Sequence, residues 1–270
     1  MSKYNEKTLN RAKSLRLIDD AFFRLVGARE KVCQEILRTL LTDDNLVVKE
    51  VTVQKTEVSI YRELVLDALC TLGDGSLCNI EVQKSDANND IKRARFHASL
   101  ITSNHTLKKT SFDNIPNVKI IYITEYDVLG NGQAVTHISR CQLVRNTYKP
   151  VNDGEDIFFA NAASKQRNKQ SHLLKLFLKS DSFYDEAYPA LSRAVKHFKD
   201  SKKGRDQMCK SIEEYAAEIA AESSIDAIIK TCLAHKDSLE QTIQFVKYQF
   251  SEATNELITD RYHLLSGVTQ

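Results

Sequence analysis

The apolar positions of the N-terminal region change their spacing near residue 45. In residues 18–42 they recur every three or four positions, behind a capping acid at Asp19 or Asp20, which predicts two helical stretches. In residues 47–54 they alternate with polar positions and are mostly β-branched, which predicts a strand. The chain therefore begins with helices and continues into a sheet.

A β-hairpin is predicted next. The segments 62–72 and 76–84 contain strand-forming residues and flank the turn Gly73-Asp74-Gly75. A three-residue turn centred on Asp74 places position 67 opposite position 81, and it places Cys70 opposite Cys78.

The remainder of the first 165 residues alternates between helix and strand. Residues 91–103 have apolar positions at helical spacing, and residues 118–124 are apolar on both faces, as in a central strand covered by helices. Residues 134–139 and 156–160 are predicted to be shorter strands. This order predicts an α/β or α+β domain with a mixed sheet.

From about residue 166 the pattern is helical throughout. We therefore predict a core at residues 1–165 and a helical C-terminal region at 166–270, with 200–206 as the best linker candidate. The last segment has an apolar seam at coiled-coil spacing, formed by Leu239, Ile243, Val246, Phe250, Ala253 and Leu257. Such a short seam either packs on its own domain or pairs two copies of the chain.

Composition narrows the class of protein. A chain of 270 residues with 42% hydrophobic and 27% charged residues is long enough to bury a core, so we expect a soluble, well-packed protein. The net charge of +2 neither indicates nor excludes a nucleic-acid partner. The six cysteines form no CxxC pair, which argues against zinc and favours reduced thiols. No signal peptide and no run of about 18 apolar residues occurs, so we expect a cytoplasmic protein that does not enter a membrane.

Two acids interrupt segments that otherwise have the pattern of buried strands. Asp67 and Glu81 would share one sheet face at roughly 5 Å between Cβ atoms, with Gln83 two residues farther along the same face. Two neighbouring carboxylates repel each other unless a proton or a cation lies between them, and a hard divalent cation suits carboxylate oxygens best. The spacing thus predicts a Mg²⁺ site at Asp67 and Glu81.

Magnesium held in this way binds substrate phosphates and acidifies a bound water, which favours phosphodiester hydrolysis. Basic residues follow on the predicted helix, and Arg93 and Arg95 are candidates for contact with phosphate. In the alternative interpretation, Asp67 and Glu81 pair with Arg or Lys across a half-exposed sheet, or a different hairpin register turns them towards water. His97 could reach the site, but a single helical histidine is more often a packing residue, and we assign it no role.

At these residues the chain resembles the PD-(D/E)XK nuclease superfamily, and within it the Rpn-type recombination-promoting nucleases, also described as PD-(D/E)XK family transposases. The similarity extends over about half of the chain, in the family's order. The matching segments are IDDAFFRLVG (18–27), LDALC (66–70), NIEVQ (79–83), RARFHASL (93–100) and VKIIYITEYDVLGNG (118–132).

The resemblance implies a restriction-endonuclease-like fold and metal-dependent cleavage of DNA in recombination or mobile-element biology, with Mg²⁺ as cofactor and Mn²⁺ as a substitute. Asp67 and Glu81 match the metal-binding acids, and Asp20 matches an acid on the first helix that completes the site. Gln83 stands where most of the superfamily has lysine. A neutral amide can position a water but adds no charge, and we expect Arg93 or Arg95 to replace the lysine.

Two other functional hypotheses remain. One is a non-catalytic DNA-binding or interaction protein on a degenerate nuclease scaffold, which would need a basic surface but no metal site. The other gives the working role to the C-terminal seam, as a homodimerisation module that brings two cores together for double-strand cutting.

Overall fold

The computed structural model describes residues 4–58, 63–84 and 90–267. The chain divides into two compact units. The first contains the residues up to Glu57 and those from Val65 to Ser211, and the second contains the residues from Ile212 onward together with Val58 and Leu64.

The first unit contains the sheet and most of the helices. Its helices within the described residues are α1 (Glu6–Ser14), α2 (Asp20–Val26), α3 (Glu30–Leu41), α4 (Asp90–Asn104), α5 (Lys169–Leu176), α6 (Pro189–Asp200), the start of α7 (Lys202–His235) and a short 3₁₀ helix at Phe112–Asn114. Its strands are β1 (Val48–Val58), β2 (Glu63–Leu72), β3 (Leu77–Gln83), β4 (Val118–Thr124), β5 (Val135–Ile138), β6 (Cys141–Val144), β7 (Thr147–Pro150) and β8 (Glu155–Asn161).

Six of the described strands form a mixed sheet in the order β1-β2-β3-β4-β8-β5. The pairs β3/β4 and β4/β8 are parallel, whereas β2/β3 and β5/β8 are antiparallel. Helix α4 packs on β4, and α5 packs on β8. The predicted α/β fold with a central mixed sheet is thereby confirmed. The pair β6 and β7 forms a separate two-stranded sheet that the hydrophobic pattern did not predict.

The hairpin of β2 and β3 has the predicted register. Cys70 lies opposite Cys78, and Ala68 lies opposite Ile80. Both cysteines are buried free thiols, and Cys33 of α3 lies beside them. A hydrogen bond with Cys70 and burial raise the pKa of the Cys33 thiol well above its usual range. These thiols therefore belong to the reduced core beneath α3.

Helices α5 and α6 belong to the first unit because they pack against α3. The carboxylate of Glu35 on α3 accepts hydrogen bonds from the first backbone N–H groups of α6, from Ala190 at 2.8 Å and from Leu191 at 2.9 Å. This contact satisfies donors that a helix start leaves without partners. The boundary between the compact units lies between Ser211 and Ile212, and the functional division into residues 1–165 and 166–270 stays a prediction. The proposed linker at 200–206 is also helical except at Ser201, where α6 gives way to α7.

The second unit is helical, with the remainder of α7, α8 (Leu239–Gln249) and α9 (Asn255–Ser266). The C-terminal seam is not one continuous helix, because the chain leaves helix after α8 and the Thr254 side chain caps the start of α9. Residues of the seam instead pack against α7 within this unit. The cluster contains Ile225, Ile229, Val246, Ala253 and Ile258, with Ile243, Phe250 and Leu257 packed against it.

In the part of the chain that the structure describes, no helix combines the length and the apolar character needed to cross a membrane.

The junction between α6 and α7 depends on Gly204. A Cβ at this position would overlap the carbonyl oxygen of His197 and the Cα of Phe198. We expect Gly204→Ala to lower the free energy of unfolding by about 1–3 kcal/mol, as overpacking against backbone does. Urea denaturation should show this loss, and the exposed Lys203→Ala in the same turn should behave as wild type. Equal denaturation midpoints for the two variants would contradict the packing.

Candidate active site

Asp67 and Glu81 meet on one face of the hairpin. The paired residues of the hairpin extend to Ala68 and Ile80, which adjoin Asp67 and Glu81, and the backbone N–H of Asp67 donates a hydrogen bond of 3.3 Å to Oε1 of Glu81. Both side chains are buried, with 9% and 4% of their residue surfaces exposed. The two acids therefore lie close together in a buried part of the hairpin.

The protein holds one oxygen of each carboxylate. Oδ2 of Asp67 accepts a hydrogen bond of 2.8 Å from the backbone N–H of Val82. Oε1 of Glu81 accepts one of 2.6 Å from the Asn79 side-chain amide, besides the contact from Asp67 N–H. Within the described ranges, no hydrogen bond reaches Oδ1 of Asp67 or Oε2 of Glu81. Each acid thus keeps one oxygen for another ligand.

The electrostatic environment disfavours two negative charges here. Burial raises the pKa of the Asp67 carboxyl well above its usual range, and the charges of Glu81 and Asp20 raise it further. The hydrogen bond from Val82 and the charge of Arg24 act in the opposite direction. No Lys or Arg among the described residues forms an ion pair with Asp67 or Glu81. The alternative in which each acid pairs with a base across a half-exposed sheet does not describe this arrangement.

Asp20 begins α2 near the carboxylate pair. It forms an ion pair of 3.2 Å with Arg24 one turn later, and its charge raises the pKa of Asp67. The segment before α2 is tied to the ends of β3 and β4. Arg16 binds both oxygens of Glu125, at 2.7 Å each, and Lys84 lies 2.9 Å from Asp19. These contacts fix the start of α2 beside the sheet.

Gln83 ends β3, two residues after Glu81 on the same face, and is paired in register with Thr124 of β4. It is partly buried. The next residue, Lys84, is bound to Asp19.

Helix α4 places His97 at the site. Its Nδ1 lies 3.4 Å from Oε1 of Glu81 without hydrogen-bond geometry. The ring is fully buried, and neither ring nitrogen has a hydrogen-bond partner among the described residues. Oδ1 of Asn79 is likewise buried and has no hydrogen-bond partner among the described residues. Buried polar atoms without partners are unusual and commonly mark a place where another group binds.

Arg93 and Arg95 are exposed on α4, and neither forms an ion pair with the two acids within the described part of the chain. Arg93 lies close enough to Tyr122 for its charge to lower the pKa of that phenol, although burial raises this pKa more. No contact in the described residues brings Arg95 to the carboxylates.

Asp90 anchors the start of α4 above β4. Its Oδ1 accepts a hydrogen bond of 3.1 Å from the hydroxyl of Tyr122, and its Oδ2 accepts one of 2.6 Å from the hydroxyl of Tyr126. Tyr122 lies opposite Glu81 in the parallel register of β3 and β4. The Asp90 contacts therefore hold the N-terminal end of α4 next to the acid pair.

Four residues at the site were not assigned a role from the sequence: Arg24, Asn79, Asp90 and His97. Asn79 and Arg24 could have been found, since Asn79 precedes Glu81 by two positions on a strand and Arg24 follows Asp20 by four on a helix. Asp90 and His97 depend on how α4 docks on β3 and β4, which spacing does not show.

The residues present suit a hard divalent cation such as Mg²⁺. No group of three or more His, Cys, Asp or Glu placed to hold a metal is found among the described residues. Mg²⁺ nonetheless needs only one or two carboxylates, because it keeps several waters and adds substrate phosphates. The adjacent acids, each with one oxygen not hydrogen-bonded by the described residues, meet that requirement.

We expect Asp67→Asn to stabilise the protein at neutral pH in EDTA, because the native fold raises the pKa of Asp67 and its ionised form therefore opposes folding. The gain should be about 1–3 kcal/mol, as when an uncompensated buried charge is removed. It should shrink as the pH falls towards 4, where wild-type Asp67 is protonated. Chemical denaturation at several pH values measures this, with the exposed Glu252→Gln as the charge-matched control. A destabilised Asn variant at pH 7 would show that the carboxylate is compensated.

Comparison with known proteins agrees with this geometry. The family model described as PD-(D/E)XK nuclease family transposase matches residues 16–180, which include the acid pair, Asp20, Gln83 and α4. A search of curated proteins and a search of solved structures gave no match. The family model describes proteins with nuclease-like function, and its matched span is more than half of the 270 residues. The chain therefore belongs to the PD-(D/E)XK nuclease family transposases.

Proposed function

We propose that this protein is a Mg²⁺-dependent endonuclease of the Rpn type, which hydrolyses DNA phosphodiester bonds in recombination or mobile-element biology. The observation that supports this best is the pair of buried, adjacent carboxylates at Asp67 and Glu81, each with an oxygen that no described residue hydrogen-bonds. Burial of such a pair lowers the stability of the folded protein unless a cation binds between the two carboxylates. The proposal includes a cytoplasmic location.

Each residue has a defined task in this proposal. Asp67 and Glu81 would hold Mg²⁺, or Mn²⁺ in its place, and Asp20 would add negative charge from α2. The ion, when bound, supplies a more acidic water and offsets charge on the phosphate. Gln83 would hydrogen-bond that water through its side-chain amide. Arg93 and Arg95 are the proposed phosphate contacts, and Arg93 is the better placed because its charge acts on Tyr122, opposite Glu81.

Asn79 and His97 are proposed to orient Glu81. Asn79 donates to Oε1 at 2.6 Å, and the His97 ring lies 3.4 Å from the same oxygen. Contacts to one oxygen fix the plane of the carboxylate, so Oε2 points in a constant direction. Residues that orient metal ligands in this way commonly alter metal affinity when replaced.

A homodimer through the C-terminal helices stays a prediction. The seam is used within its own unit, so a second copy would have to contact other residues of α8 and α9. Exposed apolar side chains there are Phe245, Tyr248 and Leu264.

The second candidate function is a non-catalytic DNA-binding protein. Gln83 favours it, because an uncharged amide replaces a lysine that would polarise the attacking water. Calorimetric titration with Mn²⁺ separates the two candidates, since a degenerate site should release little heat, and Asp67→Ala should abolish any heat that belongs to the acid pair.

The nuclease proposal predicts that purified protein nicks supercoiled plasmid DNA in Mg²⁺ or Mn²⁺ and that EDTA stops the reaction. Asp67→Ala and Glu81→Gln should each lower the rate by about 100-fold or more, because an electrostatic stabiliser of the transition state is lost. Glu252→Gln, which removes an exposed acid of the second unit, should leave the rate unchanged. Equal nicking by wild type and Asp67→Ala would overturn the assignment.

The proposed role of Asn79 predicts a change in metal dependence. Asn79→Leu should raise the Mn²⁺ concentration for half-maximal nicking by roughly 10-fold or more, with little change in the KM for DNA. Thr242→Val is a matched control, because it also replaces a fully buried polar side chain, in the second unit. An unaltered Mn²⁺ dependence in a folded Asn79→Leu protein would refute the role.

A further inference from the structure

The strands β6 and β7 form a ribbon that contributes nothing to the core. Among the described strands they pair only with each other, in a sheet separate from the main one. All residues from Ser139 to Asp153 are exposed. An isolated two-stranded ribbon is marginally stable in water, so an ordered one without a buried face calls for a partner.

The base of this ribbon, which we call the β6–β7 ribbon, is clamped to the main sheet. The backbone N–H of Val151 donates to Arg140 at 2.8 Å, which extends the ladder below β6 and β7. Arg140 forms ion pairs with Asp153 and with Glu155, the latter at 3.0 Å. The acids near the base are thus paired with Arg140. These ion pairs fix the position at which the ribbon leaves the main sheet.

The two faces of the ribbon differ in chemistry. Leu143 and Tyr148 are cross-strand partners on one face and make it apolar. Gln142 and Lys149 are partners on the other face, next to the pair of Val144 and Thr147. Gln, Lys and Thr are side chains that contact base edges in the major groove, through hydrogen bonds and through the thymine methyl group.

The tip adds positive charge. Its turn consists of Arg145 and Asn146, with φ of 48° and 62°, as in the tight turns that join hairpin strands. Residues 141–150 contain two basic residues, Arg145 and Lys149, and no acid. The end of the ribbon therefore matches a polyanion.

The register of the main sheet sets the distance from the base of the β6–β7 ribbon to the acid pair. Glu81 lies level with Tyr122 on β4 and with Phe159 on β8. The ribbon joins β8 at Glu155, four residues earlier and two strands away. This separation is about 13 Å along the strands and about 10 Å across them, less than one turn of a DNA duplex, about 34 Å.

We propose that the β6–β7 ribbon is a DNA-binding arm that enters the major groove of the duplex held at the acid pair, with Gln142, Lys149 and the Arg145 tip against the DNA. The proposal rests on the proposed nuclease function for its substrate. A two-stranded β-ribbon fits the major groove of B-form DNA, whereas the deep, narrow major groove of A-form RNA does not admit it.

The test is the affinity of the full chain for a labelled 30-base-pair DNA duplex, measured by fluorescence anisotropy in EDTA at several NaCl concentrations. We expect the double variant Arg145→Gln with Lys149→Gln to bind roughly 10–100-fold more weakly at 0.1 M salt, with a salt slope smaller by about 2, since two phosphate-neutralising charges are lost. Lys230→Gln with Lys247→Gln removes two exposed charges from the second unit and should bind as wild type. Duplex RNA of the same sequence should bind more weakly than DNA.

The proposal of a DNA-binding arm would be refuted if the two double variants lost the same DNA affinity, or if neither lost any. Tighter binding of duplex RNA than of duplex DNA would also refute it. A second copy of the chain is the competing partner. If Leu143→Ser with Tyr148→Ser converts a sedimenting dimer into a monomer while the Arg145 and Lys149 variant keeps wild-type DNA affinity, the ribbon is a dimer contact and the proposal fails.

The proposal of a DNA-binding arm and the proposal of nuclease activity can be refuted independently of each other. Plasmid nicking by wild type, together with unchanged DNA affinity of the Arg145 and Lys149 variant, would overturn the arm alone. Ribbon-dependent DNA binding without any metal-dependent nicking would overturn the nuclease proposal and leave the arm on a non-catalytic DNA-binding protein.

Discussion

The contact on which the rest of the site depends is the approach of Asp67 to Glu81 across the β2–β3 hairpin. Burial of two like charges on one sheet face is unfavourable, and the protein compensates it only in part, through the N–H groups of Val82 and Asp67 and the amide of Asn79. No Lys or Arg among the described residues pairs directly with either acid. The hairpin thus keeps a concentration of negative charge inside the protein, which is unfavourable for stability and suitable for a cation.

Two helices are fixed against this pair by contacts that do not involve the pair itself. The start of α2 is held through Arg16 on Glu125, and the start of α4 is held through Asp90 on Tyr122 and Tyr126. Glu125 and Tyr126 both follow β4 directly. One strand end therefore positions both helices, so Asp20 and His97 reach the acids from elements far apart in sequence.

The sequence predicted the part of the site that depends on local spacing. A symmetric turn at Asp74 and the two-residue period of a strand were enough to predict that Asp67 lies near Glu81. The roles of Asp90 and His97 were not predicted, because their positions depend on how the crossover helix α4 packs on the sheet. Residue spacing does not show this packing. The C-terminal seam was also beyond what spacing could predict. Its apolar residues keep a coiled-coil period through Phe250 and Ala253, but the helix is interrupted there. The β6–β7 ribbon was not predicted, because strands that are exposed on both faces lack the alternation of hydrophobic and polar residues that indicates a strand.

The positive charge of the site comes from a different element than the superfamily pattern would suggest. By the resemblance to the superfamily, Gln83 would stand where most members have lysine, and the next residue, Lys84, is bound to Asp19. The cation whose field lowers the pKa of Asp67 is Arg24, which lies one helical turn after Asp20 on α2. Because Arg24 is also paired with Asp20, its charge is partly neutralised, and the acids remain under-compensated. Under the proposed function, glutamine in place of lysine would leave the site more negative, which would strengthen the attraction for a divalent cation and remove a charged partner for the attacking water.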